Sequence, residues 1–280
     1  MTRAAAGEKN YAAWSHGNVL QFYTGQRHTV DELYESERAV LMPAIASCAS
    51  VLDVGCAAGG FYDILQALKP GIAYAGVDVV PEMIAAARAR HPSVRFEVSD
   101  GATLDFTQKA FDLAFCTGVL LHNPNYEGML RELYRVASRS CIIDLPRLVA
   151  APYTFRLETS HMVLKRRFHD VAVGVDEQQT SVPYVLAQPQ PMFEFLVEAL
   201  DPKPRALVAV GYYGHPNESV VLPVKPVCFC VVYLAKGDRR TTRTKVLLDL
   251  PDDIAAQIRL RDVEYVQGGK AAIAGLIRNV

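Results

Sequence analysis

Asp53 and Asp78 each close an apolar run, Val51-Leu52-Asp53-Val54 and Val77-Asp78-Val79, and a glycine turn, Gly55-Cys56-Ala57-Ala58-Gly59-Gly60, follows the first. Glycines at 55 and 59 permit positive φ and let a ligand approach backbone where a β-carbon would repel it. A carboxylate ending the second strand, about 20 residues or slightly more past such a turn, is placed to accept ribose hydroxyls. The carboxylate just ahead of the turn repels an anion and favours a cationic ligand end. The chemistry implied is capture of a nucleoside that carries a cationic amino-acid end. The spacing Asp53-x-Gly55-x-Ala57-x-Gly59 also differs from the Gly-x-Gly-x-x-Gly that seats a pyrophosphate on a helix amino terminus. Further along, His122 follows another apolar run. An imidazole there can take a proton at neutral pH and contribute about 10²–10⁴-fold as a general base. Its plainer role is to buttress the helix that starts near Asn125.

These residues need strands that end where they stand and helices that close the turns. The residues before Asp53 suit a strand buried on both faces, and Phe61, Ile64, Leu65 and Leu68 carry helical spacing. Val94 to Val98, Phe111 to Cys116 and Cys141 to Leu145 predict three more strands, and Met129 to Val136 an amphipathic helix. Five strands alternating with helices predict an α/β fold with a doubly wound parallel sheet. Ligands in such sheets bind at the carboxyl ends of strands, which brings Cys116, Thr117 and Gly118 to the pocket.

The segment from Asp53 to Leu148 resembles the class I S-adenosylmethionine-dependent methyltransferases, whose first motif is an acidic residue followed by Gly-x-Gly-x-Gly. Ala57 stands where that pattern has its middle glycine. The resemblance implies a Rossmann-like, mostly parallel seven-stranded sheet with an antiparallel edge strand and an insertion after the fifth strand. It implies S-adenosylmethionine as cofactor, S-adenosylhomocysteine as product and no metal. Asp53, Gly55, Cys56, Ala57 and Gly59 would then surround the amino-acid end. Asp78-Val79-Val80-Pro81-Glu82-Met83 resembles the second motif, with Asp78 on the ribose, and Met83 either against adenine or in plain helix core. Asp100 would accept from the adenine amine, with the amides of Gly101 and Ala102 at the ring edge, although Asp-Gly also favours an ordinary turn.

Three segments lie around that core: a cap at 1–40, a methyltransferase domain at 41–238 and an extension at 239–280. The domain divides into a cofactor half at 41–148 and a substrate-shaping insertion at 149–204. Tyr11, Trp14, Tyr23 and Tyr34 in the cap offer π faces to a sulfonium, or pack an amino-terminal helix on the sheet. The insertion, with Tyr153, Phe155, Arg156, His161, Met162, Phe168 and His169, is too long for a simple connection. Tyr212, Tyr213 and His215 are expected to face the substrate from the last hairpin. The apolar residues of the tail, among them Ile254, Ile258, Ile273 and Ile277, suit docking on their own subunit or on a second copy as a homodimer.

Half of the 280 residues are hydrophobic and the formal net charge is -1, which argues against a large nucleic-acid footprint. Lys165-Arg166-Arg167 is a candidate holder of an anionic substrate group; Arg239-Arg240 with Arg243 and Lys245 suits a solvated linker better than a phosphate site. No apolar run approaches the roughly 20 residues that span a bilayer, and residues 1–10 lack a secretory core. The expected setting is the cytoplasm. Cys228 and Cys230 share one face of a predicted strand as small hydrophobes. The leading reading is methyl transfer to a small molecule, with a hydroxyl acceptor preferred because Leu121-His122-Asn123-Pro124-Asn125 lacks an Asn-Pro-Pro-Tyr-type loop. A nicotinamide-dependent oxidoreductase and a non-catalytic nucleoside-binding protein stand as alternatives.

Overall fold

The computed structural model describes residues 12–15, 17–154, 156, 159–163, 167–168, 171–172 and 181–280. Tyr11, Phe155, Lys165, Arg166 and His169 lie outside the described residues.

The cofactor half alternates as its apolar spacing predicts. Strands β1 (Ser50–Val54), β2 (Ala73–Asp78), β3 (Arg95–Val98), β4 (Phe111–Cys116) and β5 (Ala137–Asp144) are separated by helices, except that a loop joins β3 to β4. Two helices precede them, α1 (Gly17–Thr24) and α2 (Glu35–Ile45). Among the strands lie α3 (Gly60–Leu68), α4 (Pro81–Arg90) and α5 (Tyr126–Val136). Helix α3 starts at Gly59, which adopts φ 81°, and α4 starts on Pro81, whose missing N–H costs nothing in a first turn.

Short strands β6 (Arg147–Leu148), β7 (His161–Val163), β8 (Arg167–Phe168), β9 (Val171–Ala172), β10 (Ser181–Pro183) and β11 (Leu186–Ala187) follow, then helix α6 (Pro189–Glu198). The chain closes with β12 (Ala206–Gly214), β13 (Val220–Val221), β14 (Val227–Ala235), β15 (Thr244–Asp249), α7 (Asp252–Ala255), β16 (Val263–Tyr265) and α8 (Lys270–Arg278).

The main sheet runs β16-β15-β12-β14-β5-β4-β1-β2-β3, with β6 and β11 joined beside β14. Strands β1 to β5 pair in parallel, while β14 is antiparallel to both β5 and β12. The last hairpin is therefore not the rim: β15 and β16 extend the sheet in parallel beyond β12. The tail builds these strands because Val246 and Leu247 alternate onto the two buried faces of the sheet. Its Ile254, Ile258, Ile273 and Ile277 are buried in the core of the same chain.

One apolar layer packs α5 and α6 on the sheet through Leu130, Leu133, Phe193 and Leu196. The opposite layer packs α2, α3, α4 and α8 through Leu41, Ile64, Ile84 and Ile273. Alternation along β1 gives Leu52 and Val54 to the first layer and Val51 to the second, so Asp53 falls on the second. Cys228 and Cys230 are buried in the first layer. The chain leaves β1 for β2 and β3 on one side and returns to β4 on the other. This switch point opens a crevice at the carboxyl ends of β1 and β4. No described helix is long and apolar enough to cross a membrane.

Candidate active site

A cavity of about 700 Å³ occupies that crevice. Its size lies within the roughly 300–1,000 Å³ of small-molecule sites. Asp53, Gly55, Cys56, Ala57, Asp78, Val79, Met83, Asp100, Thr117, Gly118 and His122 all line it. Trp14, Tyr23 and Tyr34 from the cap and His215 from the last hairpin line it too.

Six of the expected site residues stand outside this wall. Cys116 is fully buried beneath the pocket floor. A β-carbon on Gly59 would meet the Phe96 ring at 3.0 Å, so its glycine is required by positive φ and by packing, not by ligand space. A β-carbon on Gly101 would meet Met129 at 2.6 Å, and Ala102 packs against the same core. Tyr212 and Tyr213 are exposed and absent from the wall, and the Tyr213 hydroxyl donates to Asp253 at 2.6 Å.

The turn itself is internally satisfied. The amides of Gly55 and Cys56 donate to the Val77 carbonyl at 2.8 and 3.0 Å, and that of Gly59 to the Cys56 carbonyl at 2.9 Å. The Ala57 amide donates to the Asp78 carboxylate at 2.9 Å. A pyrophosphate finds none of these four N–H groups free. The charged lining agrees, with Glu37, Asp53, Asp78, Asp100 and Asp144 against Arg27 and Arg147. Such a wall favours a cationic ligand.

Ala57 adopts φ 45°. Left-handed backbone costs a non-glycine residue roughly 1–2 kcal/mol. Ala57→Gly is therefore expected to raise stability by about 1 kcal/mol, seen as a higher urea midpoint at unchanged slope; a lower midpoint would contradict a strained Ala57.

Asp78 is held by two backbone donors, Ala57 on one oxygen and Val80 on the other, both at 2.9 Å. A carboxylate offers about four acceptor positions, so each oxygen keeps one for a ligand hydroxyl. Burial raises its pKa, against those amides. Asp100 uses one oxygen to cap its own turn, accepting from the amides of Ala102 at 2.9 Å and Thr103 at 3.3 Å. The Asp-Gly turn and the pocket position thus coexist in one residue.

Asp53 is 2% exposed, and the Tyr74 hydroxyl donates to it at 2.6 Å. Burial pushes its carboxyl up to about 7, against the Tyr74 bond. Because the folded state holds the proton more tightly than the unfolded chain, this stabilisation is complete below about pH 4 and is lost as pH rises towards 7. Asp53→Asn, which preserves the acceptor for Tyr74, is expected to flatten the fall in stability between pH 4 and pH 8. An unchanged slope in urea titrations across that range would place the proton elsewhere.

His122 ends a 3₁₀ turn after β4, and its Nδ1 lies 2.8 Å from the Pro183 carbonyl. A carbonyl only accepts, so Nδ1 carries the proton and Nε2 is left as an acceptor. Trp14 and Tyr184 set their rings edge-on at 4.9 and 5.8 Å. Burial lowers the imidazole to about 4, against the Pro183 bond, which keeps it neutral at physiological pH.

Two ion pairs in the wall were not legible beforehand. Arg27 donates to Glu37 at 2.6 Å and lies over the Tyr34 and Phe61 rings. Arg147 donates to Asp144 at 2.8 Å. The signal for the second was the carboxylate at the end of the fifth strand, placed like Asp53 and Asp78.

Residues 51–140 match the sequence model of a methyltransferase domain. The trans-aconitate 2-methyltransferase of Methylobacterium nodulans is 34% identical over 124 residues, 44% of this chain and 45% of that protein. The demethylmenaquinone methyltransferase of Deinococcus radiodurans is 30% identical over 165 residues, 55% of this chain and 68% of that protein. The chain belongs to the class I S-adenosylmethionine-dependent methyltransferases. It spans less than half the length of the trans-aconitate methyltransferase. A solved methyltransferase structure from Methanosarcina mazei superposes with a TM-score of 0.48 at 16% identity, over 74% of this chain and 99% of that one.

The methyltransferase cofactor, S-adenosylmethionine, fits the residues present. Asp78 keeps lone pairs for a diol, Val79 and Met83 supply apolar wall, and Asp53 offers a carboxylate to an ammonium. No group of His, Cys, Asp and Glu able to hold a metal occurs among the described residues.

Proposed function

We propose that this methyltransferase transfers a methyl group to the hydroxyl of a small-molecule acceptor bound between the cofactor site and His122. The observation that carries this reading is the fixed tautomer of His122, which leaves Nε2 as a proton acceptor in the same cavity as Asp53 and Asp78. Relatives named for trans-aconitate, demethylmenaquinone and ajmaline support a small acceptor.

S-adenosylmethionine supplies an electrophilic methyl group on a positively charged sulfur. Asp78 accepts from the ribose hydroxyls, Asp53 pairs with the amino-acid end, Asp100 accepts at adenine through its second oxygen, and Met83 packs on the ring. Trp14, Tyr23 and Tyr34 line the cavity, where their rings offer π faces to the sulfonium. His122 Nε2 would receive the acceptor's hydroxyl proton as the methyl–oxygen bond forms and the methyl–sulfur bond breaks, with neutral S-adenosylhomocysteine as the leaving group. Holding both reactants in line is the larger part of the rate.

A release assay for S-adenosylhomocysteine across hydroxylated small molecules, with mass spectrometry of the products, tests this. The expected result is an O-methylated product; methylation confined to amines or carbon would replace the hydroxyl by another acceptor.

A further inference from the structure

Beyond the nucleoside end, the cavity contains a guanidinium built like a receptor. Arg147 is 7% exposed, on β6 just past the end of β5, and lines the cavity. Its Nη1 donates to Asp144 at 2.8 Å and its Nε to the Tyr184 hydroxyl at 3.2 Å. The Phe229 ring lies flat beneath it, 4.1 Å from the guanidinium carbon. Among the described residues no acceptor meets Nη2, which is not sealed from the cavity either. A guanidinium has five donors in a rigid fork, and with Nη1 and Nε engaged Nη2 is the nitrogen that faces the cavity without a protein acceptor. A ligand carboxylate there gains a charge-assisted hydrogen bond.

We propose that Arg147 binds a carboxylate of the methyl acceptor, which makes that acceptor a small hydroxy acid. The inference rests on the methyl-transfer reading and names its substrate class. Tyr184 ties the two ends of such a molecule together, since its hydroxyl meets Arg147 while its ring lies 5.8 Å from His122. The carboxylate at Nη2 then leaves the hydroxyl facing His122 Nε2. Charge selects a carboxylate over a phosphate. Arg147 is the cation that offers a free donor, and its own pair with Asp144 is neutral, so it takes one negative charge while more meets the carboxylates of Asp53, Asp78 and Asp100 in the same wall. A phosphate dianion would add a second charge beside Asp144 and Glu37.

The test is calorimetry on protein saturated with S-adenosylhomocysteine. The probes are lactate, mandelate and 4-hydroxybenzoate, each a monoanion set against its neutral amide, with phosphoglycolate as the phosphate arm. At least one acid is expected to bind at least tenfold more tightly than its amide and than phosphoglycolate. The double variant Asp144→Asn/Arg147→Gln removes the pair without stranding a charge. It is expected to keep S-adenosylhomocysteine affinity and to lose that acid's binding by tenfold or more. Asp144→Asn alone, which frees more of the guanidinium, should tighten it. Equal binding of acid and amide, no binding by any of the acids, tighter binding of phosphoglycolate, or acid binding that survives in the double variant each overturns the proposal. Failure of the wild-type protein to bind S-adenosylhomocysteine would instead defeat the methyl-transfer reading beneath it.

Discussion

His122→Ala lowers turnover by about 10²-fold or more and leaves S-adenosylhomocysteine affinity nearly unchanged, if Nε2 takes the acceptor's proton. The pH profile separates this from a structural effect. With the imidazole lowered to about 4 by burial, wild-type turnover should show no limb from His122 between pH 6 and pH 8. An ascending limb belonging to His122 is expected only near pH 4, and the variant should lose it. The variant also strands the Pro183 carbonyl, a cost of about 1–3 kcal/mol in stability, so thermal unfolding is measured beside turnover. Full activity in a folded His122→Ala protein would remove the base and leave positioning to carry the reaction.

Asp78→Asn weakens S-adenosylhomocysteine binding by about 1.5–3 kcal/mol, roughly ten- to a hundredfold, through loss of charge-assisted bonds to ribose. The structure adds a reason the loss should not be smaller. Each Asp78 oxygen holds one backbone amide, Ala57 on one side and Val80 on the other. An asparagine offers only one oxygen, so its NH₂ faces one of these N–H groups and loosens the turn as well as the ribose contact. Native affinity in Asp78→Asn, measured by calorimetry, would move the ribose elsewhere.

Local sequence carried the fold where each element is decided by its own spacing. Val51 to Val54, Phe61 to Leu68 and Phe111 to Cys116 form as their apolar patterns require, and the acidic strand ends fall where a doubly wound sheet puts its ligand. The tail was harder to place because β15 and β16 are stabilised by the edge of β12, a partner distant in the chain. The same distinction divides the site. Asp78 declares itself through the turn whose Ala57 amide donates to it. Gly55, Gly59 and Gly101 look alike in sequence, but a β-carbon on each would meet Val119, Phe96 or Met129, and such contacts have no signature in a motif. Arg147 was hidden because its meaning depends on Tyr184 and Phe229, contributed by two other parts of the chain. The lowered pKa of His122 was equally out of reach, since Trp14 and Tyr184 close over it from the cap and the insertion.

The crevice at the carboxyl ends of β1 and β4 takes S-adenosylmethionine and not a dinucleotide, which calorimetric titration of the wild-type protein with S-adenosylhomocysteine and with NAD tests. The account predicts saturable one-to-one binding of S-adenosylhomocysteine, with proton release near pH 7 as the ligand's ammonium draws Asp53 into its ionised form, and no heat from NAD. Saturable binding of NAD with no response to S-adenosylhomocysteine would contradict it.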